Sequence, residues 1–122
     1  MGRVHDRRHL CLTKLRRLTA SLPETAEAEA WGHPTFRAGK KIFATFGEHE
    51  GAATICVKQT RTDQVSLTGD LRFFVPPYVG KHGWVGIRID DVEWPFVAEL
   101  VECSYRLVAL KRMVRALDEA KA

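Results

Sequence analysis

Apolar positions recur at helical spacing near both ends of the chain and at strand spacing between them. Over residues 6–22, Cys11, Leu15, Leu18 and Leu22 fall on one face of a helix. Arg7, Arg8, Lys14, Arg16 and Arg17 lie largely elsewhere on its surface. Pro23 ends it, because the residue before a proline is pushed out of the helical region. A second helix is predicted from Pro95, which suits a first helical position where an N–H has no partner. From there Val97, Leu100, Val101, Ser104, Tyr105 and Val108 recur at three and four. Lys111 and Arg112 are expected near the end of this helix, where cations suit its dipole. Met113, Val114 and Leu117 extend it or form a second short helix.

The middle of the chain reads as strands. Residues 24–30 carry Glu24, Glu27 and Glu29 with no large apolar side chain, and read as an exposed connector. Thr35 and Phe36 suit a strand, Gly39-Lys40 supplies a turn, and residues 41–46 return. Residues 47–51 form another turn, and the β-branched run in 53–58 is a third strand. Thr62 is a candidate N-cap for a short helix over 63–67. Residues 71–75 give the next strand, cut off by Pro76-Pro77. Then come Tyr78, two glycines bracketing Lys81-His82, and a strand over 84–89 that opens with Trp84.

The links between strands are too short for parallel crossovers. The expectation is a single α+β domain over residues 1–122. It is a two-layer sandwich of a mostly antiparallel sheet, about five strands, with the N- and C-terminal helices packed on one face. The other sheet face is left partly open.

Composition narrows the function classes. Hydrophobic residues make up 45% of the chain, which argues for a packed globule. No apolar run approaches the ~20 residues a bilayer requires, and no secretory leader is recognisable. A cytoplasmic protein without membrane contact is expected. Cys11, Cys56 and Cys103 are odd in number and widely spaced, so they suit reduced thiols better than a disulfide framework or a metal half-site. His5 and His9 can share a helical face, but two histidines alone make no metal site.

The net charge of +4 is unevenly spread: residues 1–61 hold 11 basic and 6 acidic residues, residues 62–122 hold 8 and 9. Such asymmetry permits a phosphate-rich partner. Arg37, Lys40 and Lys41 sit on or beside one hairpin, and Lys81 and His82 in a glycine-flanked turn. Lys58, Arg61 and Arg88 extend the set. Projecting basic turns reach phosphates, and glycines allow close backbone approach. The plainer account is solvated turn charge, and +4 is small beside typical duplex binders. Trp84, Tyr78, Trp31, Phe36 and Phe43 are candidate stacking residues; Phe43 and Trp84 fit the core better, Trp31 and Tyr78 the surface.

Four stretches resemble the MmcQ/YjbR family of small bacterial proteins in order and spacing. They are Trp31 to Arg37, Gly39 to Ala44, Pro76 to Gly86 and Ser104 to Ala109. The resemblance implies a frataxin-like (CyaY-like) α+β sandwich and DNA binding through two β-wings. For this chain that means a DNA-binding module of low sequence specificity, with Arg37, Lys40, Lys41, Lys58, Lys81, His82 and Arg88 as binding residues. No recognition helix with base-reading side chains is visible. The resemblance brings no catalytic residues, cofactor or metal ligands, so no enzyme is expected, and a monomer is the default.

Two other classes are open. One is a small-molecule binder or enzyme on the open sheet face, with His33, His82, Tyr105, Asp90 and Asp91 as titratable candidates; no known catalytic motif joins them. A pocket gathering His33, Tyr105 and a cation would favour it. The other is frataxin-like metal handling, which needs clustered oxygen ligands. The first helix here is basic, with Asp6 as its acid.

Overall fold

The structure is a computed structural model that describes residues 2–122, with side chains from Arg8 onward. The side chains of His5, Asp6 and Arg7 therefore lie outside the described set. The elements in order are α1 (Gly2–Ala20), β1 (Thr25–Ala30), β2 (His33–Ala38), β3 (Lys41–His49), β4 (Ala52–Lys58) and α2 (Arg61–Thr68). Then follow β5 (Phe73–Phe74), a 3-10 turn (Gly80–His82), β6 (Trp84–Arg88), α3 (Trp94–Val108) and α4 (Lys111–Lys121).

The strands form one six-stranded sheet in the order β1-β2-β3-β4-β6-β5. Every pairing is antiparallel. The α+β sandwich is as expected, with one strand more than the sequence suggested. That strand is β1, read above as a connector. Its Ala-Glu alternation carries no large apolar residue because β1 is an edge strand. Thr25 to Ala30 pair with Ala38 to His33, and Thr35 Oγ1 donates to the Ala28 carbonyl at 2.7 Å.

The core lies between the sheet and its helices. Phe36, Ala44, Phe46, Ile55, Val57, Phe73, Val85 and Ile87 project from one sheet face. Leu15 and Leu22 from α1 and its end, Val97, Leu100, Val101 and Tyr105 from α3, and Met113 and Leu117 from α4 close over them. Leu67 of α2 packs against the same cluster near β5 and β6. Burial at about 25 cal/mol per Å² of apolar surface drives this assembly.

Three local expectations are corrected. The short helix α2 is capped by Thr60, not Thr62: Thr60 is extended and its Oγ1 accepts from the Asp63 N–H at 3.1 Å. Strand β5 is only Phe73–Phe74, because Asp70 Oδ1 holds the Arg72 N–H in a turn at 2.9 Å and Pro76 follows. Of the two readings of Met113, Val114 and Leu117 the separate helix holds, since Ala109 and Leu110 are extended, both with ψ near 150°, and what is corrected is the place of Lys111 and Arg112. Lys111 and Arg112 thus open α4, where the dipole disfavours them. Ion pairs offset this: Arg112 to Glu24 at 2.7 Å ties the start of α4 to the segment before β1, and Arg106 to Asp118 at 2.8 Å and Lys121 to Glu102 at 2.6 Å lay α4 back along α3.

Candidate nucleic-acid interface

The register brings both basic turns to one end of the sheet. Lys41 pairs with Ala38 across the β2–β3 turn, and Ala44 pairs with Val57, so β4 finishes at Lys58 on that same end. Lys58 pairs with Trp84, the first residue of β6. The Gln59 N–H donates to the Gly83 carbonyl at 3.0 Å, which sets the Lys81-His82 turn beside the end of β4. Strands β3 and β6 flank β4, so the two turns stand about 10 Å apart at the usual strand spacing.

Each turn is pinned from below. In the first, the Gly39 N–H donates to the Glu24 carbonyl at 3.0 Å. Gly39 has φ +61°, and a Cβ there would lie 2.9 Å from Met113 Cε, so glycine lets the hairpin tip rest on α4. Arg37 Nη1 donates to the Lys40 carbonyl at 3.3 Å. In the second, buried Gln64 donates through Nε2 to the carbonyls of Gly80 at 2.6 Å and Trp84 at 2.9 Å. Arg61 Nη1 donates to the Lys81 carbonyl at 2.9 Å. Gly83 has φ +89° and packs on the Gln59 carbonyl, where no side chain fits.

Arg37, Lys40, Lys41, Lys58, Lys81 and His82 thus gather at one end, joined by Arg61. Among the described residues none of these appears in an ion pair. Glu24, at the same end, is taken by Arg112. Arg88 does not join the cluster. It lies four residues along β6 from Trp84, about 13 Å away at strand rise, opposite Thr54 and 5.0 Å over the Phe74 ring. Arg112 reaches the basic end unforeseen; its signal was the break before α4, which two helix-forming residues conceal.

The aromatic candidates divide. Phe36 and Phe43 are buried, and Phe43 meets Tyr105 edge-on at 5.5 Å. Trp84 is half-buried. Trp31 and Tyr78 are 86% and 93% exposed.

The titratable set for catalysis does not assemble. Tyr105 lies in the core and donates its phenol proton to the Pro23 carbonyl at 2.7 Å; burial and then Glu24 push its pKa up. His33 stands on the opposite sheet face, its ring against Gly47. Burial pushes the Cys11 thiol up to about 11 and raises Cys56 and Cys103 as well, so these thiols stay protonated at neutral pH. Among the described residues no three His, Cys, Asp or Glu side chains gather as a metal site, and no helix is long and apolar enough to cross a membrane.

The profile of the family described as YjbR matches residues 20–107. The chain also overlays the crystal structure of Deinococcus radiodurans protein DR2400, which carries the DUF419 domain, with a TM-score of 0.72. Identity is 19%, and the overlay covers 88% of this chain and 87% of that one. Likeness at this identity speaks for the fold alone. No curated protein matches the chain.

Proposed function

Because the chain belongs to the YjbR family, with its basic turns on one end of a rigid sheet, we propose that it is a cytoplasmic nucleic-acid-binding module of low sequence specificity, without a catalytic centre. The observation that carries the reading is the shared end. Lys40, Lys41 and Lys81 project from two pinned turns about 10 Å apart at strand spacing, with Lys58 and Arg61 between them. Cations so grouped neutralise neighbouring phosphates and release their counterions together. The partner class named first is DNA.

Low specificity follows from what faces the partner. The basic end offers lysine and arginine tips and no helix whose side chains enter a groove. Lysine is a point charge that holds a phosphate without reading a base.

Fluorescence anisotropy with a short labelled duplex tests the reading. With about five phosphate contacts, raising salt from 50 to 200 mM weakens binding roughly 10²- to 10³-fold. Charge reversal at Lys40, Lys41 and Lys81 weakens it at least about tenfold at the lower salt. Absence of binding at low salt, or indifference to those reversals, sinks the proposal. The Arg72→Glu change, beside Arg88 at the far end of β6, is the control.

A further inference from the structure

The sheet sorts its charges by face. Glu27, Glu29 and Glu48 take the helix side: Glu27 accepts from Arg16 at 2.8 Å, Glu48 pairs with Arg8, and Glu29 alternates with Glu27 along β1. Three strand cations take the other side, while Lys41, opposite buried Ala38, stays toward the helices. Arg37, Lys58 and Arg88 alternate with core residues Phe36, Val57 and Ile87. Between them lie Thr35, Thr45, Gly47, Thr54, Cys56 and Gly86, paired across β2, β3, β4 and β6; Thr35 and Thr54 are themselves buried, and the Phe74 ring, stacked on His49, covers Gly86. The helices give their buried side chains to the opposite face. The face away from the helices is therefore edged by cations, and it continues into the basic end through Arg37, Lys58 and the half-buried Trp84 paired with Lys58.

Tyr78 lies two residues ahead of the second turn. Its φ is +68°, and the Val79 N–H donates around it to the Pro77 carbonyl at 2.8 Å. That is a γ-turn of the strained hand, seldom adopted by a bulky residue. Glycine would form it at lower cost. The ring gains nothing from burial to offset the strain, being 93% exposed. A large aromatic side chain held outward, three residues before Lys81, suits stacking on a base.

We infer that the nucleic acid is single-stranded: its phosphates follow Lys81, Lys58 and Arg37 across the open face, and an unpaired base stacks on Tyr78. The inference rests on the nucleic-acid reading and narrows it. The cations supply charge complementarity to a polyanion, with no strand acid on this face to oppose it. The ring requires a base whose flat side is free, which a single strand offers and a stacked duplex does not.

The test compares a labelled oligothymidylate with a blunt duplex of equal length, both at low salt, on the full chain and on Tyr78→Gly and Tyr78→Phe. Glycine accepts the positive φ, so Tyr78→Gly folds without its ring, which a thermal melt verifies. The parent is expected to hold the single strand about tenfold or more tighter than the duplex. Tyr78→Gly loses about tenfold on the single strand and nothing on the duplex, while Tyr78→Phe keeps the parental affinity. Equal or tighter duplex binding, unchanged in Tyr78→Gly, overturns the inference and leaves the broader reading standing. A strand preference that survives Tyr78→Gly overturns the role of the ring. Binding to neither ends both.

Discussion

The Ser104 hydroxyl accepts from the Lys58 backbone N–H at 2.8 Å and passes its own proton to the Phe43 carbonyl at 2.6 Å. These two backbone groups belong to neighbouring strands at the point where the ladder from Ala44–Val57 stops. The β2–β3 register shifts there too, between Phe36 and Arg37, which puts an extra residue into β3 at Phe43. A helix side chain thus closes a gap in the sheet directly beneath the basic end.

Ser104→Ala is expected to leave both groups buried without a partner and to destabilise the fold by about 2 kcal/mol. A thermal melt should shift down by roughly 6–10 °C. An unchanged melt would mean that the strands re-pair without the hydroxyl.

The β1–β2 turn offers the opposite sign. Trp31 and Gly32 both have positive φ, 52° and 78°, the backbone of a two-residue turn that prefers Asn-Gly. Trp31 is almost fully exposed, so little packing is lost by replacing it. Trp31→Asn is expected to raise stability by about 0.5–1 kcal/mol. A lower denaturation midpoint in urea would show that the indole has a contact holding the hairpin.

Acid should loosen the α3–α4 clamp. The Lys121 ammonium, bonded at 2.6 Å, holds the Glu102 carboxyl below its ordinary value against partial burial, with Arg106 adding to it. A folded-state pKa depressed in this way contributes stability that is complete above the ordinary glutamate value of about 4.3. That contribution is lost as pH falls through the lowered one. Glu102→Gln should therefore lower the melt at neutral pH, and its deficit should shrink toward pH 3. The clamp is half exposed, so the effect stays within about 1 kcal/mol. A deficit that persists unchanged in acid would assign it to packing.

Thiol chemistry should follow exposure and burial. Cys103 is exposed, whereas Cys56 is mostly covered and Cys11 is raised to about 11. Iodoacetamide at pH 8 is expected to label Cys103 first, with Cys56 protected until unfolding. Cys11 should gain reactivity steeply as pH approaches 11. Peptide mass mapping of a time course reads the order, and early labelling of Cys56 would contradict the packing of the open face around Thr45.

The elements with strong periodicity were legible from residues alone. Leu15 and Leu18, or Val97, Leu100 and Val101, repeat as a helix must, and Ile55 and Val57 as a strand must. What escaped was structure without that contrast. In β1 the alternation is between alanine and glutamate, and its signal is period rather than hydrophobicity. Whether Met113, Val114 and Leu117 extend α3 or form a second helix stayed open in the sequence, because Ala109 and Leu110 favour helix; their extended backbone decides for the second helix. The basic turns were visible as residues. Their shared end depends on the order β3-β4-β6, a long-range choice that local propensity does not carry. The same register sent Arg88 elsewhere.

Gly39 seated on Met113 makes the lysine-bearing tip part of the scaffold. A finger braced against a knuckle does not flail, so the spacing of its charges is set before anything touches it. Little mobility remains there to be surrendered on capture. Enlarging Gly39, for instance to valine, would lift that brace, and its signature would be a looser grip with every lysine still present.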